Sequence, residues 1–303
     1  MSQRKIKTLV FSGGSVKGFA HIGALCKLWD DGLLSEIEEC IGTSAGAIVA
    51  CFHAAGFSPY DVWDFIMNID VSRLVSPNFI LLLSSCGLES GDIMYNVMED
   101  TLSKRTNIKN VTFKQLYDIT KVKLTITGSC LDTKEVVYFN HETYPDMPVS
   151  YAVRISISIP CFFTPFVWEG KKYIDGAVLD NFPIKITEDK IDDTVGILID
   201  SNYSTIYQYA EEFPFAVMNM VLYYFQVKNY EKYLDNTIII PCNSPEMSTF
   251  NFSVSASLKM SLFRTGYQSA TDFLLKRKHV EKKNSSDKKY ADACTQTSDD
   301  EIK

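Results

Sequence analysis

The sequence predicts an α/β fold, with a doubly wound, mostly parallel central sheet flanked by helices in three layers. Two observations predict it. An apolar strand, a sharp turn and a helix follow one another twice within the first 55 residues. Further apolar segments of strand length follow, with helical stretches between them. At 303 residues the chain can also bury the substantial core that such a sheet needs.

Each of the two strand–turn–helix units can be assigned to particular residues. Residues 5–11 are predicted to form a buried strand, and residues 12–15, which include two consecutive glycines, a tight turn. Apolar residues then recur on one side of a predicted helix over residues 16–30. The second repeat places a short strand at residues 37–41 and a helix rich in small residues at 45–55.

The rest of the chain continues the pattern. Residues 60–116 are predicted to be mostly helical and to cover one end of the sheet. Further strands are predicted over residues 121–128, 135–139, 194–199 and 237–241, a hairpin over 166–174, and helices over 151–157, 214–233 and 257–276. After residue 278 the chain holds few large apolar groups and many Lys, Ser and Asp. We therefore expect one domain over residues 1–278 and a flexible polar tail over 279–303.

Composition limits the class of protein. Hydrophobic residues make up 46% and charged residues 22%, as in globular proteins, and the net charge of −7 argues against nucleic-acid binding. The eight cysteines are scattered and, like Cys161, mostly have apolar neighbours, so we expect reduced core residues. Neither a signal peptide nor a membrane-spanning run is recognised. We expect a soluble, cytoplasmic protein, with peripheral membrane contact left open and the oligomeric state unknown.

The sharpest motif is G-x-S-x-G at residues 42–46, between an apolar strand and a small-residue helix. In such a motif a strained turn lifts the serine hydroxyl out of the sheet, and Gly42 and Gly46 permit backbone crowding. The next helix directs its N-terminus at the reaction centre, which favours developing negative charge. We predict that Ser44 is a nucleophile, although the five residues alone also fit an ordinary turn.

A second motif, Ser-Gly-Gly-Ser-Val-Lys-Gly, occupies residues 12–18 at the first strand–helix junction. A Walker A loop is excluded because Phe19 follows Gly18, and a dinucleotide fingerprint is excluded because Ser15 replaces a required glycine. What remains is a loop of backbone N–H groups suited to hold an oxyanion. Lys17 either adds positive charge there or is an ordinary solvated lysine.

A third motif is Tyr-Ile-Asp-Gly-Ala, with Asp175 at the end of a hairpin strand. Asp-Gly alone is a common turn. The order of the three motifs, however, resembles the patatin-like phospholipase family: a glycine-rich loop with a basic residue, then G-x-S-x-G, then D-G-A. Residues 19–25, 154–163 and 181–183 are also similar to segments of that family. The resemblance covers about residues 5–278.

This resemblance implies a patatin-like acyl hydrolase domain that cleaves lipid acyl esters through a Ser–Asp dyad and an acyl-enzyme, without a catalytic histidine. The dyad falls on Ser44 and Asp175. The other implied site residues are the oxyanion donors Gly13, Gly14 and Ser15 and the supporting residues Lys17, Gly18, Gly42, Gly46 and Gly176. A positive φ at Ser15, where many members have glycine, would be strained. The four histidines are not grouped, so no metal or cofactor is expected.

Several alternatives stay open. The chain could carry a Ser–Asp–His triad using His279, or could be a binding protein that keeps the fold without activity. The aromatic segment 213–225 could line an acyl pocket or form a core helix, and residues 79–83 a mobile lid or ordinary packing. The basic residues 276–278 and 282–283 could attract anionic lipid or form a solvated helix end.

Overall fold

The computed structural model of the protein describes residues 5–200, 216–217, 220, 224, 230–242 and 254–299, with side chains described as far as residue 278. Its centre is an eight-stranded, mostly parallel sheet, with a separate two-stranded sheet beside it. The described strands are β1 (Thr8–Phe11), β2 (Glu39–Thr43), β3 (Gly87–Glu89), β4 (Lys123–Cys130), β5 (Glu135–Phe139), β6 (Cys161–Phe163), β7 (Phe166–Trp168), β8 (Lys171–Asp175), β9 (Thr194–Asp200) and β10 (Thr237–Pro241).

Strand order in the main sheet is β10-β9-β1-β2-β4-β8-β7, and β5 pairs with β4 as well. The five strands β10, β9, β1, β2 and β4 run parallel, whereas β5, β7 and β8 are antiparallel to their neighbours. All residues of β1 and β2 are buried, as expected for parallel strands covered on both faces. The predicted α/β fold with a mostly parallel sheet is confirmed.

Helices flank this sheet. The described α-helices are α1 (Phe19–Asp30), α2 (Ala45–Ala54), α3 (Pro59–Asn68), α4 (Phe79–Ser85), α5 (Asp92–Thr106), α6 (Phe113–Thr120), α7 (Val149–Ser156), α8 (Ala177–Asp180) and α9 (Ala256–Asp299). The first helix begins later than residue 16, because Ser15–Gly18 forms a tighter 3₁₀ turn in which the Lys17 N–H donates to the Gly14 carbonyl. The prediction that residues 60–116 are mostly helical is confirmed: the region contains α3, α4, α5 and the first half of α6, with the short strand β3 between α4 and α5.

Other predictions are wrong, stay untested or concern residues outside the described ranges. Helix α9 continues to Asp299 and does not end at residue 276, because neither proline nor glycine interrupts the chain after Gly266. The flexibility of the tail stays a prediction. Most of the aromatic segment 213–225 lies outside the described residues. No residue of α4 is buried, so the interpretation of residues 79–83 as ordinary packing within the core is wrong.

The seven cysteines whose side chains the structure describes divide into two groups. Cys161 is exposed, contrary to expectation, because it begins a strand of the small two-stranded sheet and not a strand of the buried central sheet; its backbone is left-handed (φ 66°). Cys86 is also exposed, whereas Cys26, Cys40, Cys51, Cys130 and Cys242 are buried. Among the described helices, none combines the length and apolar character needed to cross a membrane.

Candidate active site

Sheet topology brings the three sequence motifs to one edge. Phe11, the last residue of β1, pairs with Gly42 of the parallel strand β2, so the glycine-rich loop and Ser44 leave the sheet side by side. Thr43 pairs with Thr127 of β4. The next residue of β4, Gly128, pairs with Asp175 at the end of antiparallel β8. The acid therefore reaches Ser44 from the opposite strand direction.

Ser44 occupies a strained turn between β2 and α2. Its backbone has φ 54° and ψ −123°, a conformation that residues with a side chain seldom adopt. The Ser44 N–H donates to Ser156 Oγ at 2.8 Å, which holds the turn against the end of α7. Ser44 is also the N-cap residue of α2, so the helix dipole favours negative charge at its side chain.

The Ser44 and Asp175 side chains are in direct contact. Ser44 Oγ donates to Asp175 Oδ2 at 2.8 Å, and both residues are buried. The other carboxylate oxygen, Oδ1, accepts the Ala177 N–H at 2.8 Å. The Asp175 N–H in turn donates to the Ser158 carbonyl at 2.9 Å, so backbone contacts fix the acid on two sides.

Burial changes the proton affinity of this carboxyl group. Desolvation raises the pKa of Asp175 to about 7, against the opposing effect of its hydrogen bonds from Ala177 and Ser44. A carboxylate with such a pKa is far more basic than an exposed aspartate and can take a proton near neutral pH. The arrangement supplies a hydroxyl and a base already joined by a hydrogen bond.

The glycine-rich loop lies beside this pair. The Gly13 N–H donates to the Asn181 carbonyl at 3.0 Å, so in this conformation it already has an acceptor. The Gly14 N–H has no acceptor among the described residues. Gly14 is extended (φ 177°). Ser15 adopts the left-handed conformation (φ 51°). A positive φ is strained for a residue other than glycine, so the backbone strain expected from the sequence is present at this position.

The supporting glycines stand where backbone segments touch. A Cβ on Gly46 would lie 2.5 Å from the Ser12 carbonyl oxygen, and one on Gly18 would lie 2.7 Å from Ala45 Cβ. On Gly42 and Gly176 a Cβ would overlap backbone atoms of the neighbouring segment. These positions admit no side chain because the elbow, the loop and β4 lie in close contact.

Two basic residues near the loop are buried. Lys17 is 7% exposed, and burial lowers its pKa, so the solvated-lysine interpretation is wrong. His21 Nε2 donates to the Ser12 carbonyl at 2.9 Å, and burial lowers the pKa of its ring to about 4. His21 therefore stays neutral and supports the loop.

Ser44 lines an apolar cavity of about 150 Å³. Its described walls come from the loop Ser15–Gly18, from α1, α2, α3 and α5, and from the residues that follow α3 and α7. They contain no charged side chain. Large side chains that line it include Phe19, Ile48, Phe52, Phe65, Met98 and Phe163.

Sequence reasoning missed the residues that hold the pair in place. Ser156 and Ser158 bind Ser44 and Asp175 through one turn at the end of α7, and Asn181 holds Gly13. All three lie in segments 154–163 and 181–183, whose family likeness was visible in the sequence. Their individual contacts were not, because each joins residues far apart in the chain.

Known proteins are similar to this chain in sequence and in fold. Residues 9–187 match the family model described as Patatin-like phospholipase. The chain is 29% identical over 293 residues to an uncharacterized protein of Acanthamoeba polyphaga mimivirus, covering 91% of this chain and 96% of that protein. It is 30% identical over 190 residues to a probable lipid hydrolase of Invertebrate iridescent virus 6, covering 59% of this chain and 62% of that relative.

Among solved structures, VipD from Legionella pneumophila has the same fold, with a TM-score of 0.63 at 18% identity. The match covers 90% of this chain and 67% of VipD. The family model spans more than half of the present chain and includes all three motifs. The chain therefore belongs to the patatin-like phospholipase family, a family of lipid ester hydrolases.

Proposed function

We propose that the protein hydrolyses fatty acyl esters of lipids, as a phospholipase A or lysophospholipase, with Ser44 as nucleophile and Asp175 as base. One observation carries this proposal: the 2.8 Å hydrogen bond from Ser44 Oγ to Asp175 Oδ2, beside the apolar cavity that Ser44 lines. The hydroxyl is thus aligned with a base and lies beside space suited to a hydrocarbon chain.

In the first half of the reaction Asp175 accepts the Ser44 proton while Ser44 Oγ bonds to the ester carbonyl carbon. The resulting oxyanion needs N–H donors, and the Gly14 N–H, together with that of Ser15, is suited to this task. Collapse of the intermediate breaks the bond to the alcohol, which takes the proton from Asp175. The acyl group is then esterified to Ser44.

In the second half water replaces the alcohol. Asp175 takes a proton from the water as its oxygen attacks the acyl carbon, and the bond to Ser44 Oγ then breaks. The proton returns to Ser44 and the fatty acid leaves. Each of the four proton transfers has Asp175 on one side and Ser44, the alcohol or water on the other. The proposed reaction therefore requires no cofactor.

The contacts of Ser44 favour this dyad over a triad. Its described hydrogen-bond acceptor is a carboxylate, and His21, the histidine nearest in sequence to the loop, is occupied by the Ser12 carbonyl. The side chain of His279 lies outside the described residues. A dyad explains the geometry with no additional residue.

Replacement of the nucleophile tests the proposal. Ser44→Ala should lower hydrolysis of phospholipid and lysophospholipid at least about a thousandfold, because the acyl-enzyme cannot form. A fluorophosphonate probe should label the original protein and the control variant Ser103→Ala, but not Ser44→Ala. Continued labelling of Ser44→Ala would locate the nucleophile elsewhere. Inactivity of the original protein on every ester would favour a binding protein instead.

The same assay tests the substrate class. Phospholipid, lysophospholipid and triacylglycerol with identical acyl chains should be compared as equally dispersed substrates. We expect either glycerophospholipid to be hydrolysed faster than triacylglycerol. Faster hydrolysis of triacylglycerol would contradict the phospholipase assignment while leaving the Ser44–Asp175 chemistry intact.

A further inference from the structure

Helix α4 presents an unusually exposed apolar face. Phe79 and Ile80 are each 76% exposed and Leu83 is 90% exposed, more than any other large apolar side chain in the described part of the chain. No residue of the helix is buried. A contiguous apolar surface of this kind commonly marks an interaction site, because exposing it to water is unfavourable.

The helix is held at its N-terminal end and not by its apolar face. Asn78 caps it by accepting the Ile80 N–H at 2.9 Å, and the Asn78 N–H donates to the Leu88 carbonyl of β3 at 2.6 Å. The Ser76 N–H donates to the Glu89 carboxylate. These polar contacts fix the helix on the body of the protein while its side chains stay outside the core.

The segment around α4 carries no charge. From residue 74 to residue 88 the sequence contains no Asp, Glu, Lys, Arg or His. Asn, Ser and Pro accompany the apolar residues instead. An apolar surface without charges suits partial insertion into a lipid surface, where the apolar face of a helix can be buried about 5–10 Å deep. It offers nothing that would select an anionic lipid.

The same segment leads to the cavity at Ser44. Val71, Leu74 and Val75, which precede α4 directly, line the cavity. Lipid contacted by α4 would therefore lie next to the chain segment that forms part of the wall of the cavity. The continuity of exposed helix and cavity wall indicates which occupant the face accepts, because both surfaces match hydrocarbon.

We propose that residues 77–83, with Phe79, Ile80 and Leu83 inserted, dock the protein on an uncharged or zwitterionic lipid surface. Delivery of an acyl chain to Ser44 rests on the function proposed above, whereas docking itself does not. The surface defines the physical form of the substrate: an aggregate such as a vesicle or micelle, and not a dissolved monomer.

Vesicle binding tests the docking surface independently of catalysis. In a Ser44→Ala background, the variant Phe79→Ser/Ile80→Ser/Leu83→Ser should lower binding to phosphatidylcholine vesicles at least tenfold in a flotation assay. The matched control Ile119→Ser/Leu131→Ser/Val167→Ser removes exposed apolar side chains that do not line the cavity, and should bind normally. Binding should be insensitive to 0.5 M NaCl, since no ion pair is involved.

Several outcomes would overturn docking by α4. One is equal vesicle binding by both triple variants. Another is binding that requires anionic lipid and disappears in salt, as expected for the basic residues 276–278 and 282–283. A third is a dimer that dissociates only in the α4 variant and binds no vesicles, which would identify a second copy as the occupant. Circular dichroism and thermal unfolding verify that each variant is folded.

Activity assays connect docking to turnover. With Ser44 present, the α4 variant should hydrolyse a dissolved short-chain ester at an unchanged kcat/KM, but vesicle lipid at least tenfold more slowly. An equal loss on both substrates would show that α4 supports the active site, and would overturn the proposal. If the original protein cleaves neither ester while α4-dependent vesicle binding persists, the proposed function fails and docking stands.

Discussion

At the scale of single residues, the titration of Asp175 sets the pH dependence. In the proposed mechanism the carboxyl group must be ionised to accept the Ser44 proton, and burial raises its pKa to about 7. We therefore expect kcat/KM for a dissolved ester to rise about tenfold per pH unit below that value and to level off above it. A pH–rate profile measures this directly. A rate that stays constant from pH 5 to pH 8 would contradict the assignment of the base.

The same group also couples folding to pH. Its pKa is higher in the folded protein than the usual 3.8, so between these values the folded state holds a proton that the unfolded state has lost. Stability should consequently fall as pH rises from about 4 to 7, by up to about 4 kcal/mol from this residue. Asp175→Asn provides the control: it should lose both this pH-dependent term and nearly all activity.

At the scale of secondary structure, the carboxyl end of α7 positions both members of the pair. Ser156 Oγ accepts a hydrogen bond from the Ser44 N–H, and the Ser158 carbonyl accepts one from the Asp175 N–H. Arg154 stabilises this turn: its guanidinium donates to Ser158 Oγ at 2.5 Å and to the Thr164 carbonyl at 3.0 Å, and it also binds the Ser90 carbonyl. One buried cation thus joins α7 to the segments before α5 and after β6.

We predict that Arg154→Lys destabilises the protein by about 2–4 kcal/mol and also lowers kcat, because a single ammonium group cannot replace the several directed donors. The pH midpoint of activity should shift as the Ser158–Asp175 contact changes. Arg105→Lys is the matched control, since Arg105 also binds backbone carbonyls, those of Ala55 and Gly56, away from the site. Unfolding in urea and kinetics on a dissolved ester check both. An unchanged kcat and pH midpoint in Arg154→Lys would limit its role to stability.

Secondary structure and the central motifs were predictable from the sequence because they depend on local patterns. Buried strands, the elbow at Ser44 and the turn at Asp175 each have their signal within a few residues. Other features depend on the tertiary fold. The Asn181 carbonyl occupies the Gly13 N–H, and no local pattern could show this. Likewise, an apolar run such as residues 79–83 looks the same in sequence whether it is buried or exposed.

At the scale of the whole molecule, elements beyond the family match complete the fold. The matched region ends at residue 187, yet β9 and β10 extend the sheet beside β1. Helix α9 packs on α1 with almost no space between the backbones. A Cβ on Gly23 would overlap the Phe263 carbonyl, and one on Gly266 would overlap the Ala20 carbonyl. The start of α9 is therefore part of the domain.

We predict that Gly266→Ala lowers the free energy of unfolding by about 1–3 kcal/mol, because the added methyl group forces α1 and α9 apart. This loss opposes the roughly 1 kcal/mol that alanine normally contributes at a helical glycine. Ser261→Ala, at an exposed position of α9, is the control and should change stability little. Urea denaturation measures both. A stabilised Gly266→Ala protein would show that the helices do not pack this closely.

The backbone of Ser44 has a consequence for how this sequence can change. A non-glycine residue at φ 54° and ψ −123° costs about 1–3 kcal/mol, which glycine would avoid. Selection for thermal stability alone would thus favour glycine at position 44 and remove the hydroxyl. Selection for turnover opposes this exchange. In a laboratory population screened only for heat resistance, we expect selection to replace the nucleophile early.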